Sequence, residues 1–456
     1  MDATPFEKIA LWAGGQLATG DPKGTVTTVC TDSRTLKAGD LFVALRGEKF
    51  DAHTFLAEAS KRGAAGAIVE EFPAELPPGF AVVMVGNTLQ ALQRLGTEYR
   101  RSLDLQVVGL TGSNGKTSTK DLTATVLGEN FQVTKTEGNL NNHIGVPLTL
   151  LRARGADQIG IVEMGMNHAG EIAPLAAMAA PEVGIITNVG MAHIEFLGSK
   201  ENIAREKGML AEALPPSGTL ILSANDDFSE SIGARTKADV VLAGIGKGEV
   251  FASDLRVTAT GTTSFTIHAD GRSVPAELSV PGPHMVGNAV LAVAAGRVFG
   301  ISLEESAAGL TKLRLTKGRL EQKVIRGIQV IDDTYNANPD SVAAALRTLA
   351  SMPAAGRRIA VLGRMGELGA ESERGHRLVG EVAAQAHVDG VIGVGAEAAW
   401  ITDAAWRGGV EKVVNVESTE EATKVLRDLA KAGDLVLIKG SRSARMERIV
   451  EGLLAP

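Results

Sequence analysis

At 456 residues, with 44% apolar and 22% charged side chains, the chain exceeds what one hydrophobic core accommodates and predicts about three domains of a soluble, globular type. Apolar runs such as "LAAMAA" (175–180) stop well short of the ~20 residues that span a bilayer, which argues against membrane insertion. A net charge of -7 argues against a nucleic-acid partner, which needs a basic surface, yet leaves anionic small molecules open as ligands.

The opening "MDATPFEKIALWAGGQL" has no basic segment followed by an apolar core, so it predicts an amphipathic first helix rather than an export signal, and a cytoplasmic protein. Residues 1–105 mix strand-like pieces ("GTVTTVCTD", "DLFVAL", "AAGAIVE", "AVVMV") with a helical stretch, "TFLAEASKRG", and read as a small α/β domain. The paired prolines of "EEFPAELPPGF" (70–80) predict a surface turn. Cys30, the single cysteine, excludes an internal disulfide and reads as a buried, inert thiol.

From 106 to 313 the rhythm changes to near-continuous Val/Ile/Leu runs, "LQVVGLTG", "QIGIVEMG", "EVGIITNVG" and "GTLILSAND", which suit parallel strands covered by helices on both faces. Residues 254–280 alternate instead, predicting antiparallel strands added to that sheet, and "GNAVLAVAAGRVFG" predicts a closing helix. A third α/β unit, 314–456, carries "GIQVIDDTY", "RRIAVLGRMG", "VDGVIGVG", "EKVVNV" and "DLVLIKGS" as buried strands. The fold class is therefore α/β with three domains, the central one a mostly parallel sheet with added antiparallel strands.

Within the central unit, "GLTGSNGKTSTKD" (109–121) lies between a predicted strand and a predicted helix. It ends in Gly-Lys-Thr, yet the usual G-x-x-x-x-G-K-[ST] spacing fails, because Leu110 stands five before Gly115. Gly112 and Gly115 can take backbone angles closed to other residues and turn successive amides toward a phosphate. Lys116 would then neutralise phosphate charge and the Thr117 hydroxyl would ligate Mg2+; the plainer alternative is a helix start that happens to carry a lysine. Such a loop leaves switch, motor and transferase open.

Three further groups fall near the same sheet edge. Glu163 ends the strand of "GIVEMGMNHAGE", where it reads as a metal ligand or as a solvated strand-end carboxylate. His193 follows the strand of "IITNVGMAHIEFLGS", as a ligand or a structural histidine. Lys207, in "SKENIAREKGML", reads by itself as a solvated helix cation.

Taken together, these segments resemble the Mur ligase family over essentially the whole chain; the family's T-G-[ST]-N-G-K-T loop is matched in full by "TGSNGKT" (111–117). Within the family, "TEGNLNNHIGVPLTLL" (136–151), "IDDTYNANPDS" (331–341), "GELGAESERGH" (366–376) and "IKGSRSARME" (438–447) are similar to the member that joins D-alanyl-D-alanine to UDP-MurNAc-tripeptide. The member that adds the third amino acid has a "DYAHTPD"-like segment where this chain reads "DTYNANPD", and "KGHE" where it reads "KGSR".

The resemblance implies a central ATP-binding domain (106–313), an N-terminal UDP-sugar-binding domain (1–105) and a Rossmann-like C-terminal domain (314–456) that closes on ATP and binds the dipeptide. It implies an ATP site of Gly112, Ser113, Asn114, Gly115, Lys116, Thr117 and Ser118 with Asn288, Arg319 and Asp333. Thr117, Glu163, His193 and Lys207 become metal ligands for two Mg2+ ions, Lys207 carrying a CO2-derived carbamate. Lys116, Glu163, His193 and Lys207 form the implied catalytic group. Ser33, Arg34, Asn139, Asn141, Asn142, Asn336, Asn338, Ser441 and Arg442 are implied substrate contacts, and a monomer is expected. "LGRMGELG" departs from the family's "LGDMLELG" at Arg364 and Gly366, so no role of that acidic position carries over. Two competitors are folylpolyglutamate synthase, which lacks the first domain, and a nucleotide-dependent switch that ligates nothing.

Overall fold

The computed structural model describes residues 1–47, 50–73, 79–258 and 261–455. The predicted turn at 70–80 falls partly outside them, at 74–78. No described helix is long and apolar enough to cross a membrane.

The first sheet has five strands in the order Gln16–Thr19, Ala81–Met84, Gly66–Val69, Leu41–Val43, Val29–Cys30, parallel except for the first. Helices Phe6–Ala13 and Thr88–Arg101 bury Phe6, Ile9, Leu92 and Leu95 against one face. The second helix starts where the Asn87 side chain accepts the Gln90 N–H, satisfying a donor that the helix itself cannot pair. Cys30 sits on the edge strand and is half-buried rather than buried, its Sγ 3.2 Å from the Asp32 carbonyl.

The central sheet has nine strands: Val133–Lys135, Ile159–Glu163, Gln106–Thr111, Val183–Ile186, Thr219–Ser223, Asp239–Ile245, Val250–Val257, Thr263–Ala269 and Arg272–Leu278. The parallel part runs through Val250–Val257, and the last two strands complete the expected antiparallel addition. Alternate residues of the parallel strands feed two cores. Val108, Leu110, Ile161 and Ile185 face helices Lys116–Leu127 and Pro283–Val298, while Val107, Val162 and Ile186 face helices Ile172–Ala179 and Lys200–Lys207. From Gln106–Thr111 the chain moves outward to Val133–Lys135, returns through Ile159–Glu163, and continues on the other side at Val183–Ile186. This reversal opens a crevice at the carboxyl ends of those strands.

The third sheet is ordered Glu321–Ile325, Ile328–Asp333, Leu435–Lys439, Arg358–Gly363, Gly390–Val394, Lys412–Val416. All are parallel but the first, which forms a hairpin with the second. The apolar cluster on the Lys116–Leu127 face of the central sheet continues into this unit through Leu313, Leu320 and Ala337, so the two sheets share one core.

Candidate active site

The phosphate-type loop is built by close approach. A Cβ on Gly112 (φ 153°) would strike the Thr187 hydroxyl, and one on Gly115 (φ 78°) would lie 2.6 Å from Asn288 Oδ1. Helix Lys116–Leu127 begins directly after Gly115, so its first-turn N–H groups lack intrahelical acceptors at the crevice. Two amides that the sequence assigned to phosphate are spent elsewhere: Ser113 N donates to Asn188 O and Asn114 N to Asn188 Oδ1, both at 2.9 Å. The open cradle is thus Gly115 to Ser118, and Asn188, which sequence reasoning missed, props the loop from below.

Lys116 folds over the loop, its Nζ 2.7 Å from Gly112 O. Burial holds its ammonium below the ordinary lysine range, Glu163 opposes that shift, and Arg319 adds to it. Glu163 is buried, not solvated. Its Oε1 accepts from Thr117 Oγ1 (3.3 Å) and Asn141 Nδ2 (2.9 Å), while its Oε2 is buried with no hydrogen-bond partner. Arg319, from the turn before the third sheet, donates to Thr117 Oγ1 at 3.2 Å and stacks over Tyr335 at 4.2 Å.

Lys207 ends helix Lys200–Lys207 at 1% exposure, which overturns its reading as a solvated cation. Its ammonium makes no hydrogen bond or ion pair with any described residue. Burial, and then Lys116, push its pKa well below the ordinary value, so the amine is poised toward its neutral form. His193 adopts a left-handed backbone (φ 64°), with Nδ1 2.6 Å from Glu367 Oε2 of the third unit though off the ideal hydrogen-bond line. Burial lowers the His193 pKa; Glu367 raises it and Lys116 lowers it further. Among the described residues no three His, Cys, Asp or Glu side chains converge as a ready-made metal cage. The oxygen of Thr117 and the orphaned oxygen of Glu163 nevertheless suit a hard cation, and the bare amine of Lys207 would do so only as a carbamate, which would supply the oxygen donors that an ammonium lacks.

Lys116, Thr117, His193, Arg319 and Glu367 border a cleft of about 1290 Å³ between the second and third sheets, which Glu163 and Lys207 do not line. The third unit reaches across it. Asn338 Nδ2 donates to Asn114 Oδ1 at 2.7 Å while its own side chain caps helix Pro339–Ser351. Asp340 Oδ2 accepts the Met191 N–H at 2.7 Å. Asp333 pairs with Lys439 at 2.6 Å, and Lys439 also donates to Asn336 O at 2.9 Å. Beside that pair, burial depresses His284 to about 4, opposed by Asp333. Asn288, Ser118 and Ser441 line the same cleft. Lys439, His284, Asp340 and Glu367 were missed by sequence reasoning, although Lys439 lies inside the quoted "IKGSRSARME" and His284 four residues before Asn288.

Other predicted residues stand apart. Ser33 and Arg34 lie on the first unit, where Arg34, 84% exposed, gives both Nε (2.8 Å) and Nη2 (2.7 Å) to Asp32. Asn139 is exposed, and Asn142 Oδ1 caps the N–H groups of Ile144 and Gly145, a turn function. Arg442 borders the cleft but is largely exposed and 3.3 Å from Glu447. Arg364, the departing residue, pairs with Glu397.

Comparison with known proteins agrees along the whole chain. The Mur ligase middle domain matches residues 110–296, the Mur ligase glutamate ligase domain 318–442, and the Mur ligase family catalytic domain 25–99. The UDP-N-acetylmuramoyl-tripeptide--D-alanyl-D-alanine ligase of Bacillus subtilis is 36% identical, over 98% of both chains. MurF from Acinetobacter baumannii superposes with a TM-score of 0.90 at 32% identity, covering 100% of this chain and 99% of that one. The MurF ligase of Thermotoga maritima, solved in complex with ADP, superposes at 0.83 with 29% identity and 94% and 97% coverage. On these matches, and on a site that draws its cations and carboxylates from two units around one phosphate-type loop, the chain belongs to the Mur ligase family.

Proposed function

We propose that this enzyme uses ATP to join D-alanyl-D-alanine to UDP-MurNAc-tripeptide, giving UDP-MurNAc-pentapeptide, ADP and phosphate. The observation that carries the reading is the meeting of Lys116, Thr117 and Glu163 with Arg319 of the third unit at the sheet's switch point. The relatives' names and the ADP complex of the Thermotoga maritima neighbour support it.

The tripeptide's terminal carboxylate attacks the γ-phosphorus of ATP, forming an acyl phosphate and releasing ADP. The dipeptide amine then adds to the acyl carbon, loses a proton, and displaces phosphate. Anion approaches anion in the first step, so the site must supply positive charge, and Lys116 and Arg319 do so from the two sides of the loop. Thr117, Glu163, His193 and a carbamylated Lys207 would hold two Mg2+ ions. Bound there, Mg2+ would offset the charge of the transferring phosphoryl group. Asn288 and Asp333 border the volume beyond the loop where the nucleoside would lie. Contacts from Asn338, Asp340 and Glu367 tie the third unit to the central one beside the cleft, the joint through which closure would keep water from the acyl phosphate.

Residues 1–105 take the UDP-sugar, through Ser33 and Arg34, and 314–456 take the dipeptide, through Asn336, Ser441 and Arg442. Asn141, whose amide is bound to Glu163, would turn to the incoming substrate carboxylate. Work on a nucleotide-linked precursor with ATP suits a cytoplasmic monomer.

Phosphate release from ATP with Mg2+ tests this. Release should require both UDP-MurNAc-tripeptide and D-alanyl-D-alanine, yield the pentapeptide by mass, and fall about 10²–10³-fold in Lys207→Ala. Turnover indifferent to both substrates would leave only a nucleotide-hydrolysing module.

A further inference from the structure

We propose that Glu367 is a positioning residue for His193: the third unit lends the carboxylate that orients a ring of the central site. The inference rests on the ligase reading for its catalytic consequence, but its geometry stands alone.

Two sharp turns meet across the cleft. Glu367 Oε2 lies 2.6 Å from His193 Nδ1, and the Glu367 carbonyl accepts the Glu195 N–H at 3.3 Å. The approach is tight, since a Cβ on Gly369 would come within 2.9 Å of Glu195 Cγ. Both contact residues are left-handed, His193 at φ 64° and Glu367 at φ 61°. Glycine is the comfortable residue in that region, and Gly366 and Gly369 stand close by in the same turn. Keeping glutamate and histidine at two facing left-handed positions means that their side chains, not the turns alone, are what the arrangement needs.

The turn carrying Glu367 is itself locked. His376, fully buried, accepts the Met365 N–H through Nε2 at 2.9 Å, and its Nδ1 donates to Ser372 O at 2.7 Å, so its tautomer is fixed. The Glu367 carboxylate, 2.6 Å from His193 Nδ1 though off the ideal hydrogen-bond line, favours the proton on that nitrogen and leaves Nε2 with a free lone pair at the cleft. The central histidine is thereby oriented only when the third unit is docked.

The test compares wild type with Glu367→Ala, Glu367→Gln and Glu367→Gly. Ring-¹⁵N NMR of the intact, ligand-free protein reads the tautomer, the His193 signals being assigned by their loss in His193→Gln. Wild type and Glu367→Gln should show the Nδ1–H form, and the Ala and Gly variants should move toward the Nε2–H form that a free histidine side chain prefers. In phosphate release, the Ala and Gly variants should lose about 10–100-fold in kcat with KM for ATP near wild type, and Glu367→Gln should recover part of it. Glu367→Gly should melt no lower than Glu367→Ala, because glycine suits the left-handed turn. A wild-type tautomer in both Ala and Gly variants, or a kcat within about twofold of wild type, overturns the proposal. Wild type that releases no phosphate in response to both substrates sinks the ligase reading instead and leaves the tautomer comparison to decide this one.

Discussion

Arg34 and Lys207 are both cations to which the family resemblance attaches a role, and the fold treats them oppositely. Arg34 stays at the surface of the first unit with its guanidinium on Asp32, two positions away. Lys207 is buried with no hydrogen bond or ion pair to any described residue, near enough to the Lys116 ammonium to feel its charge. A charge paired locally at the surface contributes little either way, whereas unpaired charge held out of water is costly and persists where a ligand completes it. The contrast separates a cation satisfied within its own turn from one left for a ligand to complete.

The sharpest way to break that contrast is Lys116→Met. If Lys116 is there for phosphate, kcat/KM for acceptor-dependent phosphate release falls about 10²–10³-fold. The melting temperature meanwhile holds or rises, because a desolvated ammonium bonded only to loop carbonyls is exchanged for an apolar chain of similar length. A fall in both would make Lys116 a structural cation like any other.

How much of this was legible in sequence follows the same division. The parallel strands announced themselves because they are buried on both faces and read as unbroken runs, "VVGL", "IGIVE" and "VGII". The strands that escaped notice are edge or half-exposed ones: Val133–Lys135 is half-buried throughout, Asp239–Ile245 exposes Val240 and Leu242, and Glu321–Ile325 alternates. The loop from 111 to 117 was readable because its glycines, lysine and threonine lie together in the chain. What no local pattern reveals is pairing across 202 positions (Arg319 to Thr117), 224 (Asn338 to Asn114) or 149 (Asp340 to Met191). Asn338 was singled out by its motif, but that its amide reaches the phosphate loop is visible only in the fold.

A smaller effect tests the joint between the two units. Asp121, on the helix that follows the phosphate loop, accepts from Thr316 N (3.0 Å) and Thr316 Oγ1 (2.8 Å), three residues before Arg319, and pairs with Lys135 (2.7 Å) and the buried Lys120 (3.5 Å). Burial pushes its carboxyl upward, but Lys120 and Lys135 outweigh that and hold it below the ordinary value. A depressed carboxyl contributes stability that is present above its unfolded pKa and is lost as pH falls through the folded one. Asp121→Asn should therefore cost about 1.5–3 kcal/mol at neutral pH in urea unfolding, with the gap to wild type closing in acid. A gap that is constant with pH would mean that packing, not charge, anchors the joint.

The smallest expected effect lies back on the first unit. Arg34 holds the Asp32 carboxyl at about 2, chiefly by side-chain hydrogen bonding, so above the ordinary carboxylate range the pair is fully ionised and its small contribution does not vary. Arg34→Ala should leave the melting temperature at neutral pH unchanged, as removal of an exposed, solvent-screened pair does. If Arg34 instead swings from Asp32 to the diphosphate of the UDP-sugar, KM for UDP-MurNAc-tripeptide rises, by up to about tenfold, while kcat holds, the signature of binding shared by ground and transition states. Because Asp32 takes the two donors that the diphosphate would need, Asp32→Asn should then leave the same KM unchanged or lower it. Equal KM in wild type and Arg34→Ala would return the residue to the surface role its geometry shows, and would leave the UDP contacts to other side chains of the first sheet.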